Sequence, residues 1–292
     1  MSDVSVRPER SERPVRPERP IAGPVLRRVQ ARHLALWLAT RGAWEVRITL
    51  ERADGTPLEA RTLARRLRVG RDLHLHLVQV QTEADLEVGA WTGYRVWLAA
   101  PGAAPAWTDT TDASVCHAGR ASPGFIFQPQ VRSLLHGSCR KPHHPAPGDG
   151  LVRADAYLAA QLALDPASRD AWPTALVMTG DQVYCDDVAG PMLRAIHQTL
   201  RCHGLPDEGL PGAESAGITR ASELIDHPLS YYGRDELLPR TAGNAALLDL
   251  FFAGVRKPVF TTANAHNHLV ALGEVLAMYL LVWSPDPWEG LD

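Results

Sequence analysis

Four cysteines in 292 residues (Cys116, Cys139, Cys185 and Cys202) are too few and too irregularly spaced for a disulfide framework. An excess of one charge is lacking too. Thirty basic residues against 33 acidic ones leave a formal net charge of −3, which excludes the global basic field of a nucleic-acid or anionic-membrane binder. Lysine is nearly missing, with only Lys141 and Lys257, a bias that carries no functional weight. No run reaches the roughly 20 apolar residues that span a bilayer. The longest, Leu269–Trp283, is 15 residues and is interrupted by Glu274. The first twenty residues hold no apolar h-region, and Arg27-Arg28 is set apart from Leu34–Leu38 by Gln30, Arg32 and His33, so no export signal is expected. A soluble, cytoplasmic protein without a transmembrane segment is the expectation. A phosphate-cradling glycine loop is also missing, which weighs against an unrelated nucleotide-binding βαβ protein.

What is present divides into three stretches. In residues 1–21, Val6-Arg-Pro-Glu-Arg10 returns as Val15-Arg-Pro-Glu-Arg19. With proline every few residues and no hydrophobic period, this arm is expected to be disordered, either a docking tail or a passive extension. Residues 22–125 carry short apolar stretches at Val25–Leu38, Trp44–Leu50, His74–Val80 and Tyr94–Leu98. Val46, Ile48 and Leu50 alternate with Glu45, Arg47 and Thr49, the period of a half-exposed strand, and Ala53-Asp-Gly55 sits where a hairpin tip belongs. Closely spaced strands with no long helix between them predict a small β-sandwich.

From 126 to 292 the pattern becomes α/β. Val131–Leu135 and Thr174–Met178 read as buried strands, and Leu151–Leu162 and Val188–Leu200 as helices, giving a βαβ unit. Its active loops belong at the carboxyl ends of the strands. Asn244–Phe252 reads as a further helix, Pro258–Thr261 as an extended segment, and His268–Trp283 as an apolar helix stopped by Ser284-Pro285.

Two loops follow the two strands. The first, Gly137-Ser138-Cys139, turns a cysteine toward the crevice, where it is either a structural thiol or a thiolate metal ligand. The second, Gly180-Asp181, sets at a strand tip a carboxylate able to bridge two metal ions about 3.5–4 Å apart. Tyr184 is placed to return to the same ion, its phenolate being a hard donor suited to ferric iron. Asp186 and Asp187 read better as caps of the following helix, Cys185 as packing, and Asn267 as a helix initiator, with His268 as a residue that reaches a neighbouring loop in the less favoured reading. Cys139 with His143 and His144, and Cys202 with His203, lack the paired spacing of a structural zinc site.

Taken in order, His136-Gly-Ser-Cys-Arg-Lys-Pro142, Thr179-Gly-Asp-Gln-Val-Tyr-Cys-Asp-Asp-Val-Ala-Gly-Pro191, Tyr231-Tyr-Gly-Arg-Asp-Glu-Leu-Leu-Pro239, Asn267-His-Leu269, Gly273-Glu274, Ala277-Met-Tyr-Leu280 and Trp283-Ser-Pro285 resemble the PhoD-like (alkaline phosphatase D-type) metallophosphatase family. The resemblance runs from about residue 22 to 288, and Gly23-Pro-Val-Leu26 with the β-rich stretch after it is similar to that family's small N-terminal domain. It implies a calcineurin-like sandwich that hydrolyses phosphomonoesters or phosphodiesters with a metal-activated water, using ferric iron and calcium. On this likeness Cys139 corresponds to the thiolate ligand of the iron, Asp181 to the bridging carboxylate and Tyr184 to the phenolate ligand.

Family members continue with an Asp-Asp-His-Glu-type segment and later Asp and His ligands, which have no counterpart after residue 262. The expectation is therefore the N-terminal part of such an enzyme, acting on a small phosphoester, with an incomplete ligand set and self-association through an exposed sheet edge. The alternative is a catalytically inactive fragment or interaction module retaining the β-domain.

Overall fold

The computed structural model describes residues 19–102, 104–140, 142, 149–164, 172–186, 188–237 and 265–291. Most of the N-terminal arm, the expected helix Asn244–Phe252 and the extended segment Pro258–Thr261 lie outside the described residues. Within them the chain is α+β. Its strands are β1 (Ala22–Gln30), β2 (His33–Arg41), β3 (Glu45–Glu51), β4 (Pro57–Leu58), β5 (Ala60–Arg68), β6 (Leu73–Thr82), β7 (Trp91–Ala99), β8 (Thr108–Asp109), β9 (Gly124–Ile126), β10 (Leu134–Gly137) and β11 (Ala175–Met178). The helices are α1 (Gly150–Leu162), α2 (Gly190–His203) and α3 (Leu272–Trp283). No helix among the described residues is long and apolar enough to cross a membrane.

The first strands build two antiparallel sheets, ordered β1-β2-β6-β5 and β4-β3-β7-β8, with β9 also paired to β7. The period-2 reading of β3 is visible in the burial: Val46, Ile48 and Leu50 are buried, while Glu45, Arg47 and Thr49 are exposed. These side chains meet Leu34, Leu36 and Leu38 of β2 and Val78 and Val80 of β6, so the two sheets share one core. Arg52 N–H donates to the Thr56 carbonyl (2.8 Å) across the predicted hairpin tip, and Leu50 pairs with Leu58 beyond it. Strand β5 has no apolar run in the sequence, because it is an edge strand whose arginines face water. The apolar stretch Val25–Leu38 is two strands, turned at Ala31-Arg32.

The first sheet is covered on its other face as well. Ala39 and Leu73, with Trp37 and Leu75 beside them, pack on Leu193 and Ile196 of α2 and Ala277 and Leu281 of α3. The β5–β6 turn also touches the end of α2. Arg71 N–H donates to the Gly204 carbonyl (2.8 Å), and a Cβ on Gly204 would fall 2.6 Å from Arg71 Cβ. Gly204, at φ +54°, supplies the left-handed residue that ends α2. Residues 19–21, assigned to the arm from sequence, are held in place. Arg19 pairs with Asp112, Asp286 and Glu289, and Ile21 lies in the α2–α3 core. Strand β9 straddles the expected boundary at residue 125.

Strands β10 and β11 form a separate two-stranded parallel sheet, Leu134 opposite Ala175 through Gly137 opposite Met178. Two expectations fail here. The strand begins at Leu134 rather than Val131, which is exposed, and neither strand is buried. Leu134 is 50%, Leu176 45% and Val177 40% exposed, while α1 packs Leu158 and Leu162 against Trp91, Ile126 and Trp172. Leu36→Ala, in the closed two-sheet core, is expected to cost about 2–5 kcal/mol. Leu176→Ala is expected to change stability by less than about 1 kcal/mol. Urea unfolding midpoints at constant m-value test the contrast.

Candidate functional site

Parallel pairing puts the ends of β10 and β11 side by side, so the loops leaving them must meet. Thr179 N–H donates to the Gly137 carbonyl (3.0 Å) and Cys139 N–H to the Gly180 carbonyl (3.2 Å), which carries the ladder past the last strand residues. His136 Nε2 lies 2.8 Å from Thr179 Oγ1 across the same tips. Gly180 is required by close approach: a Cβ there would lie 2.6 Å from Ser138 Oγ and 3.9 Å from Cys139 Sγ.

Among the described residues, the non-glycine positions with positive φ are Cys139 (52°), Asp181 (32°) and Tyr232 (65°). Left-handed backbone at residues with a Cβ is costly and persists where the surroundings hold it. Here it sits at the two residues that reasoning from sequence had selected at the strand tips.

Cys139 and Asp181 are exposed and Tyr184 is half-buried. The Tyr184 phenol lies beside the Cys139 side chain and feels the charge of Asp181. Burial pushes the phenol above its usual range, and the neighbouring thiol and carboxyl groups push it further. The three predicted residues are thus brought together. Among the described residues there is no group of three or more His, Cys, Asp and Glu side chains placed to hold a metal ion.

Neighbouring contacts fix this corner. Arg140 is buried, its Nε donating to both carboxylate oxygens of Asp149 (3.1 and 3.2 Å) and its guanidinium lying 4.8 Å over the Trp283 ring. Asp149 also accepts from Leu151 N–H (2.9 Å) and so caps α1. The residue after Cys139 is therefore tied to the starts and ends of two helices.

Several residues do something other than expected. Asp186 does not cap the next helix, because α2 begins at Gly190 with Ala189 in front of it. Asp187 lies outside the described residues, as do His143 and His144. Cys185 is half-buried against the α2–α3 core. Asn267 caps no helix: α3 starts at Leu272, and Asn267 Oδ1 accepts from Tyr232 N–H (2.8 Å). His203 is buried and Cys202 exposed beside it.

No protein-family model matches the chain. No curated protein matches it either.

Sequence reasoning missed the most buried polar cluster. Arg234 is 0% and Glu274 1% exposed, and they pair through two bonds, Nη2 to Oε1 at 2.7 Å and Nη1 to Oε2 at 2.9 Å. Arg234 also donates to the Ser230 and His268 carbonyls (2.7 and 3.2 Å) and to Ser230 Oγ (3.0 Å). His197 Nε2 lies 3.1 Å from Glu274 Oε1, and its Nδ1 lies 3.2 Å from the Tyr231 hydroxyl. Arg234 Nη2 also lies 3.2 Å from His197 Nε2, so this ring nitrogen is shared between the guanidinium and the carboxylate. Val270 and Ala271 N–H also donate to Oε2 (3.0 and 3.3 Å). The signal was available, since a carboxylate inside a 15-residue apolar run demands a buried partner.

Burial by itself would raise the Glu274 carboxyl, but the His197 and Arg234 hydrogen bonds and the Arg234 charge hold it at about 2, below its ordinary 4.5. The unfolded chain therefore binds a proton that the folded chain refuses between those values. The contribution is complete above pH 4.5 and is lost as pH falls through it toward 2. Glu274→Gln is expected to cost about 3–5 kcal/mol at neutral pH by leaving Arg234 buried and uncompensated. It is also expected to flatten the acid limb of stability, read as urea midpoints from pH 6 downward.

Proposed function

We propose that the chain is a metal-dependent phosphoesterase of the PhoD-like type, carrying a small β-sandwich ahead of part of a calcineurin-like sandwich. The observation that supports this reading is the meeting of a thiol, a carboxylate and a phenol at two adjacent parallel strand tips, at Cys139, Asp181 and Tyr184. The family resemblance assigns the same three residues to the metal site.

The donor chemistry fits ferric iron. Thiolate and phenolate are strongly charge-donating ligands, and the half-buried phenol at the site is held protonated until a cation displaces its proton. Cys139 and Tyr184 would hold the iron, together with the Asp181 carboxylate. Bound there, the ion would supply Lewis acidity and charge stabilisation at phosphorus. Calcium fits less well, because the hard cation favours several carboxylates and no group of three or more His, Cys, Asp and Glu side chains gathers there among the described residues. No step is assigned to it.

The chain's own groups do the rest. The strained turns at Cys139 and Asp181 keep both side chains facing outward at the tips. Gly180 lets the two loops touch, and the His136–Thr179 contact closes the side of the site.

A second reading, an interaction module that retains the β-domain, is favoured by a different observation. The two antiparallel sheets close a complete core, whereas β10 and β11 leave Leu134, Leu176 and Val177 uncovered. That uncovered edge is the proposed route of self-association.

Iron loading separates the two readings. The phosphoesterase reading expects bound ferric iron with a visible tyrosinate charge-transfer band, lost in Tyr184→Phe. It also expects hydrolysis of bis(p-nitrophenyl) phosphate that falls at least about 100-fold in Asp181→Asn. Colourless, iron-free protein whose behaviour is unchanged by Asp181→Asn would leave the module reading standing.

A further inference from the structure

Away from the strand tips, a groove of about 440 Å³ runs between α2 and residues 225–231. Its α2 wall presents Arg194, His197, Gln198 and Arg201. These lie at positions i, i+3, i+4 and i+7, one stripe of the helix, so the two arginines stand roughly 10 Å apart with His197 and Gln198 between them. The opposite face of α2 is the core face carrying Leu193 and Ile196, which fixes the direction of the stripe.

The state of each polar group in the groove is informative. Arg194 has no carboxylate partner among the described residues, and its guanidinium lies 5.8 Å from the Tyr231 ring. Arg201 pairs with both oxygens of Asp226 at 3.1 Å, but the Asp226 side chain is 91% exposed and held by nothing else that would keep it there. Exposed pairs of this kind contribute little and are readily displaced. The floor is fixed: His197 is buried, with its Nδ1 engaged by the Tyr231 hydroxyl and its Nε2 by Glu274. The Gln198 amide oxygen is buried without a hydrogen-bond donor among the described residues. His227 adds no charge of its own to the groove, as Nδ1 accepts from Leu229 N–H (3.2 Å) and Nε2 faces the Ala216 carbonyl (3.1 Å).

Two guanidiniums on one stripe of α2, one without a carboxylate partner among the described residues and one paired with an exposed carboxylate, are donors suited to a tetrahedral oxyanion. The volume exceeds what inorganic phosphate fills, and Ile225 and Pro228 add an apolar edge for an organic group. We propose that the groove formed by Arg194, Arg201 and Tyr231 binds a small organic phosphate monoester, with Asp226 acting as the displaceable counter-ion of Arg201. This site is separate from Cys139, Asp181 and Tyr184 and does not depend on their role.

The test is isothermal titration of the full chain with glycerol 3-phosphate, inorganic phosphate and glycerol. A chelator is kept present so that no metal ion takes the phosphate. Glycerol 3-phosphate is expected to bind more tightly than inorganic phosphate, and glycerol not at all. Arg194→Gln and Arg201→Gln, both exposed positions at which folding is checked by circular dichroism, are each expected to weaken binding by about tenfold or more. Asp226→Asn is expected to strengthen it several-fold, and Asp181→Asn to leave it unchanged. Absence of binding, retention of full affinity in both arginine variants, or loss of affinity in Asp181→Asn would overturn the proposal. The last result would move the anion to the strand tips.

Discussion

The described structure turns on one carboxylate taken out of water. Glu274 lies in the first turn of an otherwise apolar helix, and its desolvation is tolerable only because Arg234 meets it with two bonds and His197 with a third. Those partners come from different places: His197 from the middle of α2, Arg234 from the turns after it, and backbone groups 268–271 from the approach to α3. Satisfying one buried charge therefore fixes the relative position of both helices and of the segments between them.

That constraint extends to both sites. With Val270 N–H bonded to Glu274 and the His268 carbonyl to Arg234, residues 268–270 are immobilised, and Leu269 N–H donates to the Cys185 carbonyl at 2.7 Å. Cys185 directly follows Tyr184, so the loop carrying Asp181 and Tyr184 leans on a support set by the ion pair. On the outer side of α2, His197 is both a member of the pair's network and the floor of the arginine groove. Two surface features of different chemistry thus share one rigid foundation, a usual way for side chains to be held in position.

The two halves of the chain differ in how completely they are packed. The antiparallel sheets close on Leu34, Leu36, Leu38, Ile48 and Val78 and have a second interface with α2 and α3. The parallel pair β10 and β11 carries comparably apolar residues but leaves them half-exposed. Parallel strands are ordinarily covered on both faces, and this pair departs from that arrangement. The strand tips that hold Cys139 and Asp181 are nevertheless well defined, because ladder hydrogen bonds continue into the loops and Arg140 anchors the first loop to α1 and α3.

Local pattern was enough to read the strand alternation of Val46–Leu50, the hairpin at Asp54-Gly55, the βαβ order, and Asp181 and Tyr184 as candidate ligands, while Cys139 was set beside them by the family resemblance. The readings other than Cys139 follow from spacing along the chain, from turn chemistry, or from the rule that parallel strand ends face one crevice. Edge strand β5 was not legible, since its arginines obey solvent rather than a core. Nor was the burial of β10 and β11, because an apolar run states what a strand prefers to touch and not whether anything is there. The Arg234–Glu274–His197 cluster and the Arg194–Arg201 groove belonged wholly to tertiary structure. Their members are separated by up to 77 residues, and only the packing of α2 against α3 and the intervening turns decides which charges meet inside and which face water.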